Sequence, residues 1–393
     1  MATVIVKHNA DYHYPSVKAS IDRILDELGA DGMIRTGQKV FLKANLLSKK
    51  QPEDVVTTHP NVVRAVAEYV IALGAQAIIG DSPGGPFTES ALRGIYQSTG
   101  MHEAALLSGA ELNFNTDSVE VKLEEHKALE RIEMVKAILD ADVVINLAKL
   151  KTHVMMTYTG AVKNLYGTIA GLTKAAYHMK LQEPQPFANH LIDICQKVKP
   201  QINIIDGIEA MEGDGPSNGD KRELGYLLAS KNPYALDYVA CIMAGIDTEA
   251  VATHVEARKR KILQPENIFV EMDEEELSIS EFEDKIKWLD IKPFKRPVPQ
   301  SVNFLHGKVP KFLEDFLVKQ TKSKPIFVKE RCIGCGKCAQ SCPAQIISIR
   351  NRKAQAELKN CISCFCCHEM CPVDAIEIHV PFLARVIFGE KKR

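Results

Sequence analysis

Short apolar runs alternate with helix-spaced apolar positions over roughly the first three quarters of the chain. KVFLKANLL (39–47), QAIIG (76–80), DVVINLAKL (142–150), INIID (202–206) and LGYLLAS (224–230) are rich in aliphatic residues and are predicted to be buried strands. Between the first two, Thr58 and Pro60 open a predicted amphipathic helix that carries Val62, Val63, Val66 and Val70 on one face and closes near Gly74. NPYALDYVACIMAGI is predicted to be another helix, with Asn232 as its cap. Strands alternating with helices predict an α/β fold, a large domain (1–285) whose mostly parallel sheet is covered by helices.

After residue 285 the pattern weakens. Pro293, Pro297, Pro299, Pro310 and Pro325 interrupt it and KFLEDFLVKQ offers one short helix, so 286–325 is expected to be a linker. A small α+β unit is expected over 326–380, with a tail at 381–393. The tail mixes Phe382, Leu383, Val386, Ile387 and Phe388 with a basic end, suited to packing on the small unit or to docking a partner or membrane.

Composition narrows the function classes. Lys and Arg total 49 against 50 for Asp and Glu, a formal charge of -1, which is no polyanion-binding signature and argues against a nucleic-acid partner. Nowhere do 18 apolar residues run together, and MATVIVKHNADYHY has no signal-peptide pattern. The expectation is a soluble, cytoplasmic protein with no transmembrane segment, its oligomeric state open. Of 11 cysteines, nine lie between Cys332 and Cys371, while Cys195 and Cys241 sit alone in apolar contexts. Such crowding points to metal rather than disulfides.

Cys332, Cys335, Cys338 and Cys342 have the spacing C-x2-C-x2-C-x3-C-P, and Cys361, Cys364, Cys367 and Cys371 repeat it at an offset of 29, prolines included. Three cysteines on a tight loop can each aim a thiolate at one corner of a cubane, leaving the fourth corner to a cysteine from elsewhere. Zinc knuckles use paired C-x2-C hooks and do not need the C-x3-C-P continuation twice. Residues 326–380 closely resemble the bacterial two-cluster ferredoxins. That resemblance implies two [4Fe-4S] clusters, each carrying one electron at low potential, with the last cysteine of each run serving the other cluster. It assigns Cys332, Cys335, Cys338 and Cys371 to cluster 1, and Cys361, Cys364, Cys367 and Cys342 to cluster 2. The alternations IISI and AIEI are expected to pair with each other beneath the clusters. Cys366 has no slot in the pattern and is read as a packing cysteine or a redox or alternative ligand.

Polar residues gather after the apolar runs, where open α/β sheets build sites. Lys43 and Asn45 follow the first, Asp81 and Ser82 the second, Lys149, Lys151 and His153 the third, and Asp206, Glu212 and Asp214 the fourth. The segment 151–180 adds Lys163, Asn164, Lys174 and His178 among glycines, a combination suited to holding an anion with an imidazole at hand. Its glycine and lysine spacing fits no P-loop, and no G-x-G-x-x-G follows a strand. The ordered motifs KANLL, THP, GDSPG, KLKTH, TGAVKNLYG and DGIEAMEGDGPS resemble a widespread prokaryotic domain-of-unknown-function family often fused to a ferredoxin module. The resemblance implies that these motifs build one site, and it names no substrate.

Three readings follow. In the first, clusters feed electrons to a small anionic substrate held by Lys43, Asn45, Asp81, Ser82, Lys163, Asn164, Asp206, Glu212 and Asp214, with Lys151, His153 and His178 catalytic. In the second, the large domain docks a redox partner protein. In the third, the acidic and histidine residues handle another metal or cluster.

Overall fold

The computed structural model describes residues 1–295 and 321–384. Most of the expected linker, KFLEDFLVKQ included, and the tail beyond Ala384 lie outside the described residues. In chain order the large domain contributes β1 (Ala2–His8), β2 (Lys39–Lys43), β3 (Gln76–Gly80), β4 (Glu111–Leu112), β5 (Ser118–Lys122), β6 (Arg131–Val135), β7 (Val143–His153), β8 (Thr157–Thr159), β9 (Ile202–Glu212), β10 (Asp220–Ser230), β11 (Ile268–Met272) and β12 (Glu275–Ser278). The C-terminal module adds β13 (Lys324–Phe327), β14 (Ile347–Arg350), β15 (Lys353–Ala356) and β16 (Ile376–His379).

Ten of these strands form one sheet in the order β12-β11-β1-β10-β9-β7-β2-β3-β4, with β8 paired to β7. The pairs β9–β7, β7–β2, β2–β3 and β3–β4 are parallel, and β10 runs antiparallel to both β9 and β1. Period-two alternation explains why both faces are covered. On β7, Val144, Ala148 and Leu150 enter one apolar core while Val143, Ile145 and Leu147 enter the other. The first core packs helices such as Pro184–Val198 and Pro233–Met243, and the second packs Tyr14–Glu27 and Pro60–Ala72. The large domain is therefore α/β with a mostly parallel sheet, as the alternation of elements predicted.

The chain passes from β2 outward to β3 and β4, then returns to the opposite side through β7 and β9. This reversal leaves a crevice between β2 and β7 at their carboxyl ends, the place where open α/β sheets bind ligands.

Local differences from the sequence reading have physical causes. Asn232 caps Pro233–Met243 through Tyr234 and Ala235 N–H, as expected. At Pro60–Ala72 the cap is His59, whose Nδ1 accepts from Asn61 N–H, because Thr58 is committed elsewhere: its hydroxyl donates to Leu147 O and accepts from Asn45 N–H. The run KVFLKANLL leaves the sheet after Lys43, where Leu46 N–H turns to the Asp81 carboxylate.

In the module the two apolar alternations do not pair with each other. Asn351 and Arg352 both adopt positive φ, so β14 folds back on β15 as a tight hairpin, while β16 pairs with β13. The local turn closes the first alternation before the second is available.

Candidate functional site

Lys149, Lys151 and His153 leave the same face of β7 because they are two residues apart. All three are at least 98% buried. Lys151 Nζ donates to Asn45 Oδ1 and Val56 O, each at 2.7 Å. Across the crevice Lys43 Nζ lies 2.7 Å from Asp81 Oδ1, with both side chains buried. Asn164 ties the two strands together: its Nδ2 donates to Asn146 Oδ1 (2.8 Å), Leu147 O and Lys43 O, and its Oδ1 accepts from Asn45 Nδ2 (3.0 Å). Lys174 Nζ donates to Ser82 O (2.6 Å) and Ser82 Oγ (3.0 Å), fastening segment 171–180 over the loop that follows β3.

The segment that presents Lys163 and Asn164 is anchored from beneath. Asp237 accepts from Ala161 N–H (2.6 Å), Val162 N–H (3.0 Å) and Tyr158 OH. Gly160 permits this approach, since a Cβ there would lie 2.3 Å from Asp237 Oδ1. Gly167 likewise lets the chain cross the Lys43–Asp81 pair, as its Cβ would lie 2.0 Å from Asp81 Oδ1.

Above the crevice is a concave cavity whose wall mixes apolar groups with a few polar side chains, the character of a small-molecule site. Asn45, Asp81, Ser82, Lys151, Lys163, Asn164 and His178 all line it, so most of the residues proposed from sequence are brought together. Its remaining wall is the C-terminal module: Ser341, Cys366, Glu369 and Met370 face the same space. The short helix Cys366–Glu369 is seated by Ser217 Oγ, which donates to Glu369 O (3.0 Å), and by Asn218 Nδ2 near His368 Nε2 (3.3 Å). Lys43 stands behind Asp81 and does not line the cavity.

Glu369 carries the closest charge contact between module and sheet. Its Oε1 lies 3.3 Å from His153 Nε2, while His153 Nδ1 accepts from Met155 and Met156 N–H. Those two donors require an unprotonated Nδ1, so the neutral imidazole presents Nε2–H to Glu369. Burial, and then the Lys163 charge, drive the His153 pKa down to about 4. Burial opposes ionisation of Glu369, but His153 and Lys163 outweigh it and hold the carboxyl near 2. His153 therefore stands behind Glu369 and not on the cavity wall. His178 does line the cavity, stacked on Phe187 at 4.4 Å. Its buried Nδ1 has no hydrogen-bond partner, and burial lowers its pKa to about 3.

Burial also brings Lys151 and Lys174 down to about 7 and lowers Lys163. Unlike the other two, Lys163 has no hydrogen bond or ion pair among the described residues, so its ammonium is the one left for a ligand. Three lysines line the cavity with Asp81 and Glu369, and Asp81 is already paired with Lys43 from behind, an imbalance that favours an anion.

The acids after β9's apolar run do not reach this space. Asp206 is fully buried in a separate network: Oδ1 accepts from Tyr12 OH (2.7 Å), and Oδ2 accepts from Lys149 Nζ (2.9 Å) and His59 N–H (2.9 Å). Strand β9 continues six residues past Asp206, which leaves that residue inside the sheet instead of at its end. Glu212 accepts from Lys295 N–H (3.0 Å), and Asp214 lies beside His368 and not on the cavity wall. Among the described residues no three His, Cys, Asp or Glu side chains converge on a point that one metal ion could occupy.

Sequence reasoning did not single out Glu369 as a site residue, and it left Cys366 without an assigned place. Glu369 and Cys366 lie inside the second cysteine run, where the ligand spacing absorbs all the signal. Their roles depend on how the module docks.

The module itself contains two small cavities. Cys332, Cys335, Cys338 and Cys371 ring the first, and Cys342, Cys361, Cys364 and Cys367 the second. Four thiols around a void match a cubane's donor set, and the partition is the crossed one. Backbone N–H groups of Ala354, Ser363 and Ala375 point to Cys332, Cys361 and Cys371 Sγ at 3.2–3.4 Å, the contacts that tune such clusters.

An α/β domain whose switch-point cavity is closed by a module with two thiol-ringed voids defines an iron–sulfur electron-transfer protein. The chain belongs to the family described as domain of unknown function (DUF362), which matches residues 40–242, and residues 324–372 match a 4Fe-4S dicluster domain. It carries two [4Fe-4S] clusters accordingly. It is 34% identical over 273 residues, 67% of this chain and 80% of the relative, to the thylakoid-associated protein sll1697 of Synechocystis sp.. Among solved structures it is similar to the lactate racemase apoprotein from Thermoanaerobacterium thermosaccharolyticum (TM-score 0.40, 12% identity, 62% of this chain and 57% of that one). A Thermotoga maritima protein is more distant (TM-score 0.31, 11% identity, 51% of each chain). No helix of the described residues is long and apolar enough to cross a membrane.

Proposed function

We propose that this protein is an iron–sulfur oxidoreductase that reduces a small anionic substrate held in the cavity between its two domains. The observation that carries the reading is the shared wall: Lys151, Lys163 and His178 of the α/β domain face Cys366 and Glu369 of the module across one space. Two bound clusters supply one electron each, enough for a net two-electron reduction. Lys163 would ion-pair with the anion, Lys151 and Lys174 would add charge as its approach raises their proton affinity, and His178 Nδ1 would hydrogen-bond it. His153 orients Glu369 and is a positioning residue in this scheme.

The reading favours a reducing compartment, the cytoplasm, where thiols and clusters persist. The test is anaerobic photoreduction of the clusters followed by a panel of small carboxylates and phosphates. At least one should reoxidise the wild type and do so ten times or more slowly with Lys163→Met. Clusters that stay reduced with every acceptor, yet discharge to a separate oxidoreductase, would sink the proposal in favour of a relay role.

A further inference from the structure

The two thiol-ringed voids have different surroundings. The void ringed by Cys342, Cys361, Cys364 and Cys367 adjoins the interdomain cavity through Cys366, which lines that cavity and directly precedes Cys367 in the chain. The void ringed by Cys332, Cys335, Cys338 and Cys371 instead reaches the surface: Cys335 is exposed, and Ile333 and Ile349, both in its wall, are 55% and 37% exposed.

Around that opening basic residues outnumber acidic ones. Lys329, Arg331, Lys337, Arg350, Arg352 and Lys353 flank it in the sequence against Glu330, Asp374 and Glu377, in a chain whose net charge is -1. Arg331 is paired with Glu377. Arg350 and Arg352 are exposed, and neither guanidinium has a hydrogen bond or ion pair among the described residues. The fold holds them there. Gly334 at φ +70 lies under the β14–β15 turn, where a Cβ would meet Arg352 O at 2.4 Å, and Lys353 Nζ donates to Cys332 O at 2.7 Å. The basic hairpin turn is thus pressed onto the cysteine loop itself.

We propose that this basic rim, with Ile333 and Ile349 at its centre, docks an acidic one-electron carrier protein and makes this edge of the module the entry point for electrons. The reduced carrier gives up one electron per encounter and leaves oxidised. An excess of positive charge around an apolar centre steers an acidic partner and raises its on-rate by roughly 10–1,000-fold at low salt. The electron's destination rests on the reduction proposed above; the docking does not.

The experiment uses the cluster-loaded full chain and a plant-type [2Fe-2S] ferredoxin as the acidic probe. Affinity is read by calorimetry, and reduction of the chain by the reduced probe is read by stopped flow. The wild type should bind it at low ionic strength, weakening as salt rises. Arg350→Glu with Arg352→Glu should weaken binding and slow reduction at least tenfold, with the iron count unchanged. If that pair fails to fold, Arg350→Gln with Arg352→Gln should give a smaller loss in the same direction. Unchanged or tighter binding in the variants, equal binding of the basic cytochrome c, or no binding at low salt would overturn the proposal. Lys163→Met should leave docking intact, so failure here and failure of substrate reduction are read separately.

Discussion

Asp206 is the residue whose role differs most between sequence and structure, and its replacement gives a quantitative test. Sequence places it with the substrate-binding acids; the structure makes it the counter-ion of Lys149, with both side chains no more than 1% exposed. Asp206→Asn keeps the shape, removes the charge, and turns an amide N–H₂ or a single oxygen toward three donors. Breaking a buried ion pair from one side costs about 3–5 kcal/mol. Lys149 sets the ceiling, because it can shed its proton instead, at a cost near pH 7 of about 4–5 kcal/mol from a reference of roughly 10.4. Lys149→Met with Asp206→Leu removes both charges and leaves the Tyr12 hydroxyl and His59 N–H without an acceptor, about 1–3 kcal/mol each. The double variant should therefore fall short of the summed costs of Lys149→Met alone and Asp206→Leu alone by about 2 kcal/mol or more. Anaerobic urea unfolding followed by circular dichroism measures this, with cluster absorbance tracked separately because the module need not unfold with the large domain. A single variant within about 1 kcal/mol of wild type, or additive costs, would refute the pairing argument. A stable Asp206→Asn protein that had lost substrate-dependent cluster reoxidation would return Asp206 to the site.

Three further outcomes are expected. Affinity of the cavity for an anion should fall as pH rises through about 7, by up to roughly tenfold per pH unit for each proton lost, because burial holds Lys151 and Lys174 near 7 and only their protonated forms attract the ligand; equilibrium binding between pH 6 and 8.5 checks this, and a flat profile would count against their involvement. Gly167→Ala should destabilise by about 2–4 kcal/mol and reduce anion binding, since its Cβ would meet Asp81 and Lys43 at 2.0 and 2.7 Å; thermal unfolding and the same titration read both effects. Cys371→Ser should remove the same cluster signal as Cys332→Ser and leave that of the cluster ringed by Cys361, so iron counts and electron paramagnetic resonance of the two variants test the crossed arrangement.

Much of the architecture is legible in the chain because its signals are local. The β-rich runs, the Asn232 cap and the repeated cysteine spacing each act within a few residues, and the crossed use of the fourth cysteines follows from the ferredoxin resemblance. Tertiary structure overrules local reading where a side chain has a distant competitor. Thr58 is drawn from its helix to Leu147 and Asn45. Asp206 is drawn into the sheet by Lys149 and Tyr12.

The sequence by itself determined the electron-carrying half of this protein: eight thiols, two clusters and an α/β partner with polar strand ends. Only the tertiary structure decided what those clusters adjoin. The switch point between β2 and β7 selects which polar residues face a common space, and the docked helix Cys366–Glu369 completes the wall. Neither is written in local spacing, because both depend on strand order and on the fit between two separately folded cores.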